Sequence, residues 1–114
     1  MNKFNNIENL KKYKHIHMIG IGGISMSGIA EILHNWGINV TGSDCTKSKI
    51  TDRLSSHGIY VTIGHDTELM KDADLVVYSA AVKQDDPELV LAHEKNIEII
   101  ERADFVRILN QSLW

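Results

Sequence analysis

Residues 15–28 read HIHMIGIGGISMSG, and this stretch decides the fold of the chain. A short apolar run from Ile16 to Ile21 leads directly into a cluster of three glycines: Gly20, Gly22 and Gly23. After the glycines, apolar residues recur at the i, i+3, i+4, i+7 spacing of a helix: Ile29, Ile32, Leu33 and Trp36. The pattern predicts a strand, a glycine turn and a helix.

A strand, a glycine turn and a helix together aim free backbone N–H groups and the positive helix end at an anion. Gly20 suits the tight turn, while Gly22 and Gly23 lack a Cβ and let a phosphate approach the main chain. The alternative is a strand–helix turn that merely needs glycines. Three glycines in four residues exceed what such a turn requires, so the stretch favours a phosphate-binding loop.

The composition indicates one ordinary globular domain. The chain has 114 residues, 43% of them hydrophobic, which is enough for one hydrophobic core. Its net charge of −3 and pI near 6.0 argue against non-specific nucleic-acid binding and against a polybasic membrane surface. An anionic ligand remains compatible with this charge, because backbone amides bind phosphate without any net basic charge.

The ends of the chain and its cysteine content indicate a cytoplasmic protein. Cys45 is the only cysteine, so an intramolecular disulfide is impossible. The N-terminus, MNKFNNIENLKKYK, has no apolar core typical of a signal peptide. No apolar run approaches the roughly 18 residues that span a bilayer. We expect an N-terminal arm or short helix at 1–13, a domain at 14–110, and the start of a linker at 111–114.

Strands and helices are predicted to alternate along the whole domain. The predicted strands are 15–20, 39–44, 59–63, 75–78 and 97–100, and the predicted helices are 24–36, 47–57, 87–95 and a last one containing Phe105, Ile108 and Leu109. Short connections and right-handed crossovers then give an α/β, Rossmann-like, three-layer domain with a parallel five-stranded sheet. The sequence contains no GxxxxGK[ST] loop for ATP.

In a parallel sheet, ligands lie across the carboxyl ends of the strands. Asp44 follows the second strand, where a carboxylate commonly holds ribose hydroxyls; the alternative is an N-cap for the helix at 47–57. Ser79 follows the fourth strand and could donate to a ligand, with Ala80 and Ala81 leaving room, or these three could simply pack tightly. His65 follows the third strand as a candidate donor, or as a solvated or capping residue.

The remaining candidates favour structural roles. The other histidines are not spaced with cysteine or carboxylates as in a zinc site, so no metal site is predicted. Cys45 has no neighbouring histidine or second cysteine to make it reactive. The acidic run at 84–88 is read as a helix start, with Asp86 as N-cap and Pro87 as the first helical residue.

Five segments of the chain resemble the N-terminal domain of the Mur ligases, in the right order and spacing. They are HMIGIGGISMSGIAEIL (17–33), VTGSD (40–44), VVYSAAV (76–82), DDPELVLAHE (85–94) and IIERADF (99–105). The resemblance implies a Rossmann-like module that holds the UDP part of a nucleotide sugar. It is nearest to the ligases that add L-alanine to UDP-N-acetylmuramate.

The resemblance also assigns the site. It implies that the glycine loop faces the diphosphate through Gly20, Gly22, Gly23, Ile24, Ser25 and Met26. It implies a nucleotide pocket lined by Ser43, Asp44, His65, Ser79, Ala80 and Ala81. Ser25 stands where the family often has glycine, which is a mild departure.

The resemblance further implies the chemistry of a larger enzyme. Such ligases use ATP and Mg²⁺ to convert the muramoyl carboxylate to an acyl phosphate, which the amine of L-alanine attacks. The ATP loop, the Mg²⁺ ligands and the amino-acid site belong to segments that this chain lacks. We therefore expect a substrate-binding fragment that is inactive alone, with UDP-N-acetylmuramate as partner and with no prediction for its oligomeric state.

Three alternatives stay open at this stage. The first is an NAD(P)-binding domain of an oxidoreductase or redox regulator, since Asp44 fits NAD equally well. Against it, a GxGxxG motif counted from Gly20 puts Ser25 at the third glycine, where close helix packing normally needs glycine. The second is a related ligase that joins a tripeptide to UDP-muramic acid. The third is a regulatory or interaction domain with an empty site.

Overall fold

The computed structural model describes Leu10 and residues 12–113, with side chains described as far as residue 110. The predicted arm at 1–13 thus lies largely outside the described residues. The strands are β1 (His15–Ile19), β2 (Asn39–Asp44), β3 (Tyr60–Ile63), β4 (Leu75–Tyr78) and β5 (Glu98–Glu101). The helices are α1 (Ile24–Asn35), α2 (Lys49–Ser56), α3 (Thr67–Met70), α4 (Pro87–Glu94) and α5 (Arg102–Leu113).

All five strands run parallel in one sheet, in the order β3-β2-β1-β4-β5. This confirms the predicted Rossmann-like α/β class with a five-stranded parallel sheet. The chain leaves β1 for β2 on one side and later returns to β4 on the other side. The loops after β1 and β4 therefore diverge, and this topological switch point is where such sheets bind ligands.

Helices cover both faces of the sheet, which explains why β1 and most of β4 are buried. The larger core lies under α1, α2 and α5 and contains Leu33, Leu54 and Phe105, each with 0% exposure. The smaller core lies under α3 and α4 and contains Met70 and Leu89. Three layers result, as predicted.

Local side-chain caps fix where several helices begin. At the start of α2, the Ser48 hydroxyl accepts from the Thr51 N–H at 3.2 Å, and the Thr51 hydroxyl accepts from the Ser48 N–H at 2.9 Å. Asp86 accepts from the Glu88 N–H at 2.8 Å, with Pro87 as the first residue of α4. The predicted cap at Asp86 and Pro87 is confirmed, and each such cap contributes about 1 kcal/mol.

Gly42 in β2 fixes the path of the glycine loop. A Cβ on Gly42 would lie 2.8 Å from the Ile21 Cβ and 2.8 Å from the Met18 carbonyl oxygen. Glycine at this position lets Ile21 turn inward from the loop and reach 0% exposure. The loop is thus anchored through its own apolar side chain.

Two features differ from the sequence-based expectation. The four-residue helix α3 was not predicted, although Asp66 caps it by accepting from the Leu69 N–H at 2.9 Å. Helix α5 continues to Leu113, so no element ends at the predicted domain boundary at residue 110. The linker at 111–114 stays a prediction. Among the described residues, no helix is both long enough and apolar enough to span a membrane.

Candidate functional site

A cleft of about 660 Å³ opens at the carboxyl ends of the strands, beside the switch point between β1 and β4. Its walls include the loops after β1, β2, β3 and β4 and the segment that begins α4. Seven of the sequence-predicted residues line it, namely Gly20, Gly23, Ser43, Asp44, His65, Ser79 and Ala81. The other five lie outside the lining, namely Gly22, Ile24, Ser25, Met26 and Ala80.

Gly20 makes the turn out of β1, as expected. Its φ of +85° lies in the left-handed region that favours glycine, and a Cβ there would lie 2.8 Å from the Ser79 hydroxyl oxygen. The N–H groups of Gly20 and Ile21 donate to the Ser43 carbonyl at 2.8 and 3.0 Å. These bonds hold the loop after β1 to the end of β2 beside the cleft, and the Ser79 N–H, which donates to the Ile19 carbonyl at 3.2 Å, brings the end of β4 to the same place.

Helix α1 presents an N-terminus without a side-chain cap. Its N-cap residue is Gly23, and no described side chain accepts from the first-turn N–H groups. These groups belong to Ile24, Ser25 and Met26 and have no partner within the helix. The Ile24 side chain is 86% exposed and the Met26 side chain is 1% exposed. Residues 24–26 thus leave their backbone N–H groups available to a ligand, whereas the Met26 side chain belongs to the core.

Asp44 connects two loops rather than capping a helix. Its carboxylate accepts from the Gly22 N–H at 2.8 Å and from the Thr46 N–H at 3.1 Å. Ser48 caps α2, so the alternative reading of Asp44 as that helix's N-cap is wrong. Asp44 is half-buried at the cleft wall and has further acceptor capacity for a ligand hydroxyl.

A buried polar network beneath the cleft was missed by the sequence analysis. The Glu88 carboxylate, with 0% exposure, contacts His17 Nε2 at 2.5 Å and accepts from the Ser43 hydroxyl at 2.9 Å. The Ser43 hydroxyl therefore points into the protein. Thr41 extends the network, since its hydroxyl lies 2.7 Å from both His17 Nδ1 and His15 Nε2.

The network could not be read from spacing, because His17 and Glu88 are far apart in sequence. The acidic run at 84–88 was interpreted as a helix start. This is correct for Asp86, but it misses the buried contacts that Glu88 makes with the sheet. The available signal was two histidines at alternate positions of a strand with both faces covered. Buried polar side chains need partners, and this requirement calls for polar groups on the covering helix.

His65 lies at the cleft end of this network. Its Nδ1 atom is 3.0 Å from Glu88 Oε2 and 3.5 Å from Asp86 Oδ2, and its side chain is 50% exposed. Ligand atoms of these three residues lie within 4.8 Å of one another, close enough to share a cation. Hydrogen bonding between His65 and Glu88 accounts for their spacing, and we assign no metal here.

Two cations lie near the cleft and were not singled out by the sequence analysis. Lys83 lines it on the β4–α4 side. The Arg102 guanidinium donates to the Ser25 hydroxyl at 3.3 Å, which brings a positive charge to the first turn of α1. The positive charges of Lys83 and Arg102 both suit an anionic ligand. The glycine loop carries no lysine followed by serine or threonine, unlike the phosphate loop of ATP-binding domains.

The comparisons with known proteins agree with this fold. The family profile described as "Mur ligase family, catalytic domain" matches residues 15–112. A UDP-N-acetylmuramate–L-alanine ligase of Acetivibrio thermocellus is 58% identical over 92 residues, covering 81% of this chain and 20% of that protein. The chain thus spans about a fifth of the length of the curated relatives it matches.

Two solved structures share the fold of this chain at significant sequence identity. The UDP-N-acetylmuramate-alanine ligase MurC of Thermotoga maritima has a TM-score of 0.79 at 36% identity, covering 83% of this chain and 22% of that one. The UDP-N-acetylmuramate:L-alanyl-γ-D-glutamyl-meso-diaminopimelate ligase of Neisseria meningitides has a TM-score of 0.72 at 29% identity, covering 82% and 30%. With the family profile spanning nearly all of the described residues, the chain belongs to the Mur ligase family.

Proposed function

We propose that this chain is the UDP-N-acetylmuramate-binding domain of a ligase that uses ATP to add L-alanine to UDP-N-acetylmuramate during cell-wall synthesis. The observation that carries the proposal is the uncapped N-terminus of α1, which opens at Gly23 onto the cleft. A diphosphate supplies the acceptors that these N–H groups lack, and the helix dipole favours its charge.

The other cleft residues suit the nucleoside part of such a ligand. Asp44 at the end of β2 can accept from sugar hydroxyls, and the Ser79 hydroxyl lies across the turn from Gly20. Identity to relatives named as L-alanine ligases, 58% for one of them, exceeds the 29% to the tripeptide ligase structure. We therefore favour L-alanine as the amino acid that the whole enzyme adds.

In the proposed enzyme this chain binds and orients the nucleotide sugar, and it carries out no bond-making step itself. ATP and Mg²⁺ would belong to parts of the enzyme outside these residues and would supply phosphoryl transfer to the muramoyl carboxylate. The proposal expects a cytoplasmic enzyme, since its nucleotide substrates are cytoplasmic.

Titration calorimetry with ligands that differ only in phosphate content tests the role of the α1 N-terminus. UDP should bind the 114-residue chain, UMP more weakly, and uridine least of all, because each phosphate removed leaves N–H groups without an acceptor. Equal affinities for uridine and UDP would show that the diphosphate contributes nothing and would overturn the proposal.

A further inference from the structure

Glu88 is a buried carboxylate that connects the interior of the sheet with the ligand cleft. It lies in the first turn of α4, which begins at the edge of the cleft. His17 on β1 approaches its Oε1 atom at 2.5 Å, and the Ser43 hydroxyl on β2 lies 2.9 Å from each carboxylate oxygen. Two strands and one helix therefore fix the position of this carboxylate.

Glu88 is ionised at neutral pH in spite of its burial. Burial acts to raise the pKa of this carboxyl, but the hydrogen bond and the charge interaction with His17, followed by hydrogen bonds from His65 and Ser43, outweigh it, so the pKa lies below its ordinary value of 4.5. An ionised carboxylate only accepts hydrogen bonds. The His65 Nδ1 atom, 3.0 Å from Oε2, must therefore carry a proton and donate it to Glu88.

The hydrogen bond at Nδ1 leaves Nε2 as the His65 ring nitrogen available to a ligand in the cleft. With Nδ1 protonated, the Nε2 atom of a neutral ring can only accept a hydrogen bond. Phosphate oxygens of an ionised diphosphate also only accept. Direct contact between His65 and a diphosphate thus requires a second proton on the ring, at Nε2.

We propose that Glu88 is a positioning residue that holds His65 in the cleft, and that binding of a nucleoside diphosphate there is accompanied by uptake of one proton by His65. The inference rests on the proposed function, because it takes the ligand to be a diphosphate.

Most of the charged groups around His65 are carboxylates. On α4, both Glu88 and Asp86 face Nδ1, at 3.0 and 3.5 Å. Asp66, the next residue in the chain, turns its carboxylate to the Leu69 N–H and the Thr62 hydroxyl. The other charged groups of the cleft lining are two acids and one base, namely Asp44, Asp85 and Lys83.

The test is titration calorimetry of UDP into the 114-residue chain at pH 8.0, in two buffers with different ionisation enthalpies. At this pH the diphosphate is fully ionised, since the second phosphate pKa is about 6, so any proton is taken up by the protein. We expect net proton uptake when UDP binds, seen as a binding enthalpy that differs between the two buffers. The variant H65Q should bind UDP more weakly and take up none.

Glu94 on the same helix provides the matched control, because it is an exposed carboxylate outside the cleft lining. E94Q should keep the wild-type proton uptake, whereas E88Q should reduce both the uptake and the affinity. If E88Q fails to fold, ¹⁵N NMR of the His65 ring in the wild-type chain replaces this comparison. On addition of UDP, both ring nitrogens of His65 should shift to the imidazolium position.

The possible failures are distinguishable. UDP binding by the wild type with no proton uptake, or with the same uptake in H65Q, would overturn this inference and leave the proposed function standing. An unchanged neutral His65 ring in the NMR experiment would do the same. Absence of UDP binding by the wild type would overturn the proposed function, and this inference with it.

Discussion

The Gly22 N–H donates to the Asp44 carboxylate at 2.8 Å, which ties the glycine loop after β1 to the carboxyl end of β2. The same carboxylate accepts from the Thr46 N–H at 3.1 Å. Asp44 therefore fixes the shape of the loop as well as offering acceptors to a ligand. Changes at either residue of this pair are expected to affect the cleft.

G22V should disrupt the cleft through Asp44. A Cβ on Gly22 would lie 2.8 Å from Asp44 Oδ2 and 3.0 Å from Thr51 Cγ2, so the carboxylate must move. The backbone at Gly22 has no positive φ, and the cost is therefore steric, about 1–3 kcal/mol. We expect a lower melting temperature and no detectable UDP binding by calorimetry. Unchanged UDP affinity would place the phosphate elsewhere.

G23S should separate folding from binding. At Gly23 a Cβ would meet the Gly20 carbonyl oxygen only at 3.7 Å, and the φ of −67° suits any residue. The serine hydroxyl can cap α1, so the melting temperature should stay the same or rise. UDP binding should weaken, because the hydroxyl then occupies N–H donors of the first turn of α1.

Gly28 provides the matched control for G23S. It lies within α1, and a Cβ there would meet nothing within 4 Å. G28A should raise stability by about 0.5–1 kcal/mol, because alanine loses less backbone entropy in a helix, without changing UDP affinity. Equal UDP affinities for G23S and G28A would argue against an anion at the α1 N-terminus.

D44A should weaken UDP binding by about 1.5–3 kcal/mol, the range for hydrogen bonds to a charged group. Binding free energy is lost in two ways. The ligand loses its contact with the carboxylate, and the Gly22 N–H loses the acceptor that holds the glycine loop in place. S48A is the control, because it removes the α2 cap without touching the cleft lining and should cost about 1 kcal/mol of stability alone. If D44A lowers the melting temperature but leaves the affinity unchanged, Asp44 has no role in the ligand site.

The free energy of unfolding should fall as the pH is lowered from 7 to 5. Burial, and then the neighbouring His17, hold the pKa of His15 below its ordinary value of 6.5. The unfolded chain therefore binds more protons than the folded chain below about pH 6.5, and stability is lost with decreasing pH. The lowered pKa of Glu88 acts with the same sign below its ordinary value of 4.5.

Denaturant unfolding at a series of pH values measures this dependence. H15Q should flatten the curve between pH 7 and 5, whereas H93Q, at an exposed position of α4, should leave it unchanged. A free energy of unfolding that is constant from pH 7 to 5 in the wild type would contradict the effect assigned to His15.

The fold was largely predictable because its signals are local. The left-handed turn at Gly20 and the cap formed by Asp86 with Pro87 follow from residues adjacent in sequence. Apolar periodicity likewise gave the buried face of α5 around Phe105. Element ends shifted by one or two residues, since terminal turns depend on caps such as Ser48 rather than on periodicity.

The site was only partly predictable, because its decisive contacts join distant parts of the chain. The prediction that residues at the carboxyl ends of the strands line one cleft is correct, since parallel topology alone requires it. The pairing of Glu88 with His17 and His65 depends on the packing of α4 over β1, which no local pattern encodes. Gly22 was expected to give a phosphate room beside the main chain. A Cβ added at Gly22 would point at the Asp44 carboxylate.

The most direct test of the central claim is a ranking of ligands by the melting shift of the 114-residue chain. UDP-N-acetylmuramate should stabilise it most and UDP less, while NAD and NADP leave the melting temperature unchanged. Binding to the folded state adds about 2.7 kcal/mol at a ligand concentration one hundred times Kd, a readily measured shift for a domain of this size. A clear shift with NAD or NADP and none with either UDP compound would contradict the account and favour a dinucleotide-binding domain.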